Sequence, residues 1–184
     1  MEKTSVDNLV KSSWKVDTAH TKLGFSARHM VISEVEGQFK EFDVKVDAGE
    51  DFTDSEIEVT IKTASIETGN SDRDNHLKSP DFFDAVNHPE MKFVSSSIEK
   101  TGDEDFKLKG DLIIRSISKP IVLDVTYGGK IKDPWGNERA GFQVEGKLNR
   151  FDYDLKWNNL METGGAVVGK IIKLKCYIEL IKAE

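Results

Sequence analysis

The chain has 184 residues, and its 33 acidic and 26 basic side chains give a formal net charge of −7 at pH 7. No basic patch or stripe is present, which argues against nucleic acid and against an anionic membrane surface as partners. No run of about 18 apolar residues predicts a membrane span, and the length is typical of one domain with a substantial core.

The N-terminal residues carry two acids and lack the apolar stretch of a signal peptide. We therefore expect a cytoplasmic location for the chain as written, and a periplasmic one if a native signal is missing from it. Cys176 is the single cysteine, so no disulfide can form within the chain, which agrees with a reducing compartment.

Alternation of apolar and polar residues dominates the rest of the chain. In chain order it occurs around Trp14 and Phe25, over 42–48 and 57–61, around Met91 and Phe93, and over 106–114, 121–127, 142–148 and 172–180. This pattern predicts strands with one apolar face, whereas a parallel sheet covered by helices would show continuous apolar runs. We expect eight or nine antiparallel strands, with turns at 101–104, 116–120 and 133–137. The periodicity does not choose between a barrel and a sandwich.

Residues 66–83 interrupt the strand pattern. Ser71 is a candidate helix cap with Asp74 three residues later, and Pro80 stops or restarts the helix. Phe82 and Phe83 follow directly. We predict one short helical excursion near residues 71–83, whose aromatic end covers one end of the strands and indicates an apolar interior with a ligand in it.

Four histidines are candidates for a metal site or a general base: His20, His29, His76 and His88. None pairs with another at the spacing of zinc motifs, and neither a Gly-rich phosphate loop nor a Gly-x-Ser-x-Gly elbow is present. We therefore predict no metal, no cofactor, no catalytic residues and no enzyme activity. Asp17 and His20 are candidates for a carboxylate–imidazole pair, but we interpret them as a structural turn.

Candidate ligand-binding residues are apolar walls and two polar groups. His29 follows Phe25 at even spacing, so it faces the same side of the strand and is a candidate partner of a ligand head group. Arg73 either meets a phosphate head group or pairs with Asp74 to anchor the helix. The candidate wall residues, for which ordinary core packing is the alternative, are Phe25, Phe42, Phe82, Phe83, Phe93, Phe142 and Trp157. Trp135 and Cys176 are interpreted as packing residues.

Five stretches resemble the signature of the YceI-like family, a lipocalin-like, polyisoprenoid-binding domain of bacteria. They are residues 14–20, 25–29 with 37–39, 73–83, 110–120 and 133–142, in the order in which the family has them. One departure is Ser116, where the family usually has glycine. On this resemblance we divide the chain into an N-terminal extension, 1–11, and one domain, 12–182.

The resemblance implies an all-β fold, an eight-stranded antiparallel lipocalin-like barrel whose tunnel holds a polyisoprenoid, an isoprenoid quinone or a similar long-chain lipid. Such a protein carries, stores or sequesters its ligand. Burial of each CH₂ group contributes about 0.8 kcal/mol, so a tail binds without polar contacts. The alternatives are an enzyme acting on such a lipid with His20 or His29 as its base, and a stress-related structural module without a dedicated ligand. The pattern does not predict the oligomeric state.

Overall fold

The computed structural model describes the backbone of residues 10–161 and 165–184 and the side chains of 10–159 and 167–184. The strands are β1 Ser12–Val16, β2 Lys22–His29, β3 Ser33–Phe39, β4 Phe42–Ala48, β5 Glu56–Lys62, β6 Ile66–Glu67, β7 Glu90–Lys100, β8 Asp105–Ile114, β9 Ile117–Lys132, β10 Glu138–Asn149, β11 Leu160–Met161, β12 Gly165–Ala166 and β13 Val168–Lys182. The α-helix α1 spans Ser71–Lys78, and 3-10 turns span Thr18–His20, Thr63–Ser65 and Arg150–Tyr153. No helix in this part of the chain is long and apolar enough to cross a membrane.

The main sheet closes into an eight-stranded antiparallel barrel. Its hydrogen-bonded order is β1, β4, β5, β7, β8, β9, β10 and β13, and β13 pairs back to β1. The long strand β13 divides its partners, since Leu180–Lys182 pair with β1 and Val168–Tyr177 pair with β2. Three further strands extend this sheet. In the chain β2 follows β1, β3 precedes β4 and β6 follows β5, and β3 pairs with both β2 and β6. The barrel and the single short helix are therefore confirmed, and a two-sheet sandwich is excluded.

The connections define two ends of the barrel. We call the end that carries α1 the helix end; its described connections are residues 30–32, 68–89, 115–116, 150–161 and 165–167. We call the opposite end the distal end; its connections are residues 49–55, 101–104 and 133–137. The buried apolar side chains form three contacting clusters, one near each end and one between them, so the core runs along the barrel axis.

The helix α1 is anchored to the barrel by Thr68 rather than by a pair of its own charges. Arg73 donates from Nε to Thr68 Oγ1 at 2.7 Å and from Nη2 to the Thr68 carbonyl at 2.8 Å. Asp74 accepts from the Thr68 amide at 2.9 Å and from its hydroxyl at 2.6 Å. The predicted ion pair between Arg73 and Asp74 is therefore wrong. The predicted cap is also one residue off, because Asn70 caps the helix by accepting from the Arg73 amide at 3.0 Å.

The turn between β8 and β9 is shorter than predicted. It consists of Arg115 and Ser116, both with positive φ (51° and 61°), which is the geometry of a two-residue hairpin turn. The predicted turn over 116–120 is wrong, since Pro120 lies within β9 opposite Asp111. Left-handed φ favours glycine, so Ser116 stands where glycine costs less, as the family pattern has it. Arg115 Nη1 reaches the Pro80 carbonyl at 3.2 Å, which links this turn to the segment after α1.

A charged network on the outer surface ties the distal end together. Arg139 of β10 donates to Asp133 at 2.7 Å, to Asp17 at 2.7 Å and to Glu179 at 2.8 Å. Both features weighed for Asp17 and His20 are present: Asp17 caps the turn by accepting from the Ala19 amide at 3.0 Å, and it also pairs with His20 Nδ1 at 2.8 Å. Trp135, in the turn closed by Asp133, is 80% exposed, so its predicted packing role is wrong.

The first prediction concerns the stability of the fold at acidic pH. The Arg139 guanidinium and the turn amides hold the pKa of Asp133 at about 2, below its ordinary 3.8. A lowered folded-state pKa stabilises the fold above the unfolded pKa, and this contribution is lost as the pH falls through the folded pKa. We expect the free energy of unfolding, measured by urea titration, to fall between about pH 4 and pH 2, and to fall less steeply in D133N.

The control is D103N, which removes a carboxyl from an exposed position in the turn between β7 and β8. It is expected to keep the wild-type slope. An unchanged slope in D133N would show that the pairing of Asp133 with Arg139 does not contribute to the stability of the fold.

Candidate functional site

The barrel encloses an apolar cavity of about 300 Å³. Its lining runs from Phe52 and Leu180 at the distal end to Phe82 and Leu155 at the helix end, so it follows the barrel axis. Protein interiors rarely contain voids much larger than a water molecule, and ligand pockets begin at about 300 Å³. The cavity is therefore a candidate ligand site and too large for a packing defect.

Two phenylalanine rings of the cavity lining pack over glycines of neighbouring strands. A Cβ atom on Gly37 would overlap the ring of Phe25 and lie 2.9 Å from its Cε1 atom, and one on Gly110 would lie 2.5 Å from Phe93 Cζ. Rings therefore occupy the space that a side chain would fill at these two positions. The two rings therefore cover these glycines and form part of the cavity wall.

An aromatic plug closes the distal end. Phe52 is 7% exposed, and its ring lies 5.4 Å from Trp14, 5.8 Å from Tyr127 and 5.2 Å from Phe142, measured between ring centroids. Its φ is 64°, a left-handed conformation that costs free energy in a residue other than glycine. The surrounding rings and the turn after Ala48 hold it there. Sequence analysis missed Phe52, although a lone aromatic in an acidic turn is an available signal.

A second aromatic group covers the helix end. Phe83 packs edge-on against Phe39 at 5.9 Å, and Phe82 lies 5.3 Å from Trp157. His76 of α1 stands edge-on to Trp157 at 4.7 Å and bonds Asp81 at 2.9 Å. The predicted cover by the aromatic end of the helical excursion is confirmed.

The predicted site residues separate into two groups. Five of them line the cavity: Phe25, Phe82, Phe83, Phe93 and Phe142. The other four do not belong to its lining: His29, Phe42, Arg73 and Trp157. Ligand binding by any of the nine stays a prediction.

The four non-lining residues have identifiable positions. Phe42 packs against the core cluster of the distal end, and Trp157 lies behind Phe82. Arg73 binds Thr68. His29 ends β2, two residues after the cavity-lining Ala27, and pairs with Val168. Val168, opposite His29, does line the cavity, so contact between His29 and a ligand head group stays a prediction.

Arg150 is the functional candidate that sequence reasoning missed. It follows β10, is 2% exposed, and lines the cavity. Its Nε donates to the Gly169 carbonyl at 2.9 Å, Nη1 to the carbonyls of Leu155 and of Trp157 (2.9 Å), and Nη2 to the Val168 carbonyl at 3.2 Å. Burial lowers its pKa. No pattern in the sequence distinguishes this arginine from an exposed one.

Among the described residues, one set on the outer surface has metal-ligand character. Asp17, His20 and Glu179 bring ligand atoms within 4.8 Å of one another. Arg139 donates to both carboxylates, and the pKa of Asp17 is lowered chiefly by its bond from His20 and that of His20 raised by the same bond. A cation of the protein itself therefore neutralises this group, and we assign it a structural role.

The second prediction tests the glycine positions. In G37A the new Cβ displaces the Phe25 ring from the wall toward the cavity, which narrows the lumen and costs about 1–3 kcal/mol of stability. We expect weaker binding of a fluorescent long-chain lipid, measured by titration, with a short-chain analogue affected less. The matched control is G141A, since a Cβ there meets no atom within 4 Å. Equal affinities of G37A and G141A would contradict this role of Gly37.

The third prediction uses the cavity thiol. Cys176 lines the cavity, and burial raises its pKa to about 11. Since the thiolate is the reactive form, labelling by a small maleimide is expected to be slow near pH 7 and to accelerate as the pH rises. Saturation with a long-chain lipid is expected to slow it further, followed by mass spectrometry. Labelling in urea gives the unprotected rate, and a lipid that binds without slowing labelling would lie outside this part of the cavity.

Comparisons with known proteins agree with this architecture. A UPF0312 protein of Staphylococcus epidermidis is 36% identical over 170 residues, which are 91% of this chain and 96% of that protein. The crystal structure of a Campylobacter jejuni YceI protein is 34% identical, covers 100% of both chains and gives a TM-score of 0.73. A polyisoprenoid-binding domain from Saccharophagus degradans shares the fold, with a TM-score of 0.68 at 12% identity over 94% of this chain and 99% of that one.

The family model matches the barrel from its first strand to its last. The model is described as the YceI-like domain, and the match covers residues 14–180. The match begins within β1 and ends within β13, the two strands whose pairing closes the barrel. The chain belongs to the YceI-like family.

Proposed function

We propose that this protein binds a long-chain amphiphile in the barrel cavity and carries, stores or sequesters it. The ligand class is a polyisoprenoid, an isoprenoid quinone or a similar lipid. The observation that carries the proposal is the continuous apolar cavity of about 300 Å³ along the barrel axis. The Saccharophagus degradans domain of the same fold, named for polyisoprenoid binding, supports the choice of ligand class.

The energetics of an apolar tail fit such a site. At about 0.8 kcal/mol per buried CH₂, ten buried carbons contribute roughly 8 kcal/mol, which before association costs corresponds to about micromolar affinity. Tails that differ by one methylene differ in affinity by only about 1–3 kcal/mol. We therefore expect binding of several related tails with modest selectivity among them.

The groups around the cavity favour binding over catalysis. A general base must lie within hydrogen-bond reach of the proton that it abstracts, and none of the four histidines belongs to the cavity lining. Cys176, a potential nucleophile in the cavity lining, is held as a thiol because burial raises its pKa to about 11. These features support a binding protein and give no role to the predicted alternative base, His20, which is on the outer surface.

The test of the function has two steps. Mass spectrometry of an organic extract of the purified protein is expected to show a long-chain lipid. Protein incubated with a prenyl phosphate and with a quinone is then expected to retain both through gel filtration and to return them unchanged. A product that grows with time and is absent in H29A would establish an enzyme, and retention of neither lipid would favour a structural module.

A pair of variants locates the binding to the cavity. Phe142 lines the cavity, whereas Lys147 of the same strand is exposed. F142D places a charge in the apolar lining, so we expect it to weaken lipid binding by about tenfold or more, and K147D to leave it within about twofold. Circular dichroism confirms that each variant is folded before the titration. Equal weakening by both variants would place the ligand outside the barrel.

A further inference from the structure

Phe52 lies where the cavity stops at the distal end. Its ring contacts Phe142, which lines the cavity, and also Trp14 and Tyr127, which do not. The ammonium group of Lys130, an exposed residue, lies 5.9 Å from the centroid of the same ring. The Phe52 ring therefore forms the boundary between the apolar interior on one side and packed rings and a solvated charge on the other.

The connection 49–55 holds Phe52 in place through hydrogen bonds of its own. The Phe52 carbonyl accepts from Ser55 Oγ at 2.6 Å and from the Ser55 amide at 3.3 Å. Asp51 accepts from the Thr53 amide at 3.0 Å and from its hydroxyl at 2.7 Å. These bonds involve residues on both sides of Phe52, and they hold the connection in the conformation that directs its ring into the barrel.

The two ends of the cavity differ in the length of the chain that covers them. Phe52 lies in the short connection 49–55, whereas Phe82 and Phe83 lie in the long connection 68–89. Segments that open to admit ligands are those that move without disturbing the strands, which a long connection does more readily than a short one. A tail that enters at the helix end reaches Phe52 last.

The length of the cavity follows from the strand that spans it. Val168 and Leu180 both line the cavity, and they lie twelve residues apart on β13, the first near the helix end and the second near the distal end. At a rise of about 3.4 Å per residue and a tilt of about 40°, this separation corresponds to roughly 30 Å along the barrel axis. A tail therefore has a limited length to occupy before it meets the Phe52 ring.

We infer that Phe52 sets the greatest tail length that the cavity accepts, and that it is a specificity-determining residue for long-chain amphiphiles. This inference rests on the proposed function and specifies which tails the site prefers. A tail that ends before Phe52 buries all of its carbons, so each added isoprene unit strengthens binding. A longer tail leaves the added carbons in water at the helix end and gains nothing from them.

The experiment measures affinity against tail length. Wild-type protein is titrated with prenyl alcohols that lengthen by one isoprene unit at a time, from geraniol to solanesol, whose extended tail is longer than the cavity. Displacement of a fluorescent long-chain lipid gives each affinity. We expect the affinity to rise about tenfold or more with each unit that the cavity can bury, and then to stay level.

Variants at Phe52 move this limit. F52G removes the ring at a backbone φ of 64°, which glycine adopts without strain. The first alcohol beyond the wild-type limit is expected to bind F52G about tenfold tighter than it binds the wild type, with geraniol unchanged within about threefold. F52L keeps part of the side chain and is expected to shift the limit less than F52G does.

The matched control is Y127L. Tyr127 packs against Phe52 but does not line the cavity, so this variant disturbs the same aromatic group and leaves the end of the lumen closed. It is expected to keep the wild-type limit. Circular dichroism shows whether each variant is folded, and if F52G does not fold, F52L and the wild-type series still decide the outcome.

The possible failures are distinguishable. A wild-type affinity that rises through solanesol, a limit unchanged in the folded Phe52 variants, or an equal shift in Y127L contradicts the inference about Phe52 and leaves the proposed function in place. Failure of every alcohol to bind contradicts this inference. Combined with failure to retain the prenyl phosphate and the quinone, it contradicts the proposed function as well.

Discussion

Pairing of the first strand with the last is the interaction on which the rest of this structure depends. β1 meets only the final residues of β13, Leu180–Lys182, but this short antiparallel contact closes the ring of eight strands. Closure removes the exposed strand edges that an open sheet would carry. It also turns the apolar face of every strand toward one axis, so that the alternation of residues becomes an interior and an exterior.

The interior stays hollow for reasons that can be traced to particular side chains. Eight strands enclose space that side chains can just fill or leave for one small ligand. Here Phe25 and Phe93 lie against the wall over Gly37 and Gly110, and aromatic groups around Phe52 and Phe82 close the two ends. These large side chains therefore line the wall and both ends of the cavity, and the space between them is available to a flexible tail.

Arg139 and Arg150 have different hydrogen-bond partners on the two sides of the barrel wall. Arg139, on the outside, is neutralised by three carboxylates and joins a turn, a bend and a strand. Arg150, on the inside, has carbonyl partners that orient its guanidinium without cancelling its charge. The first arrangement joins elements of the outer surface, and the second holds the segment after β10 to the start of β13.

The sequence by itself determined the local features: antiparallel strands with one apolar face, a short helix near residues 71–83, and five aromatic residues that line the cavity. These follow from periodicity and from the helix stop at Pro80, which are properties of neighbouring residues. The periodicity of the residues left a closed barrel and a sandwich open, and the tertiary structure decided between them. It also showed that Phe42 and Trp157 do not line the cavity and that Phe52 and Arg150 do. Periodicity reports which face of a strand is apolar; whether a side chain reaches the lumen, lies over a glycine or closes an end depends on residues far away in the chain.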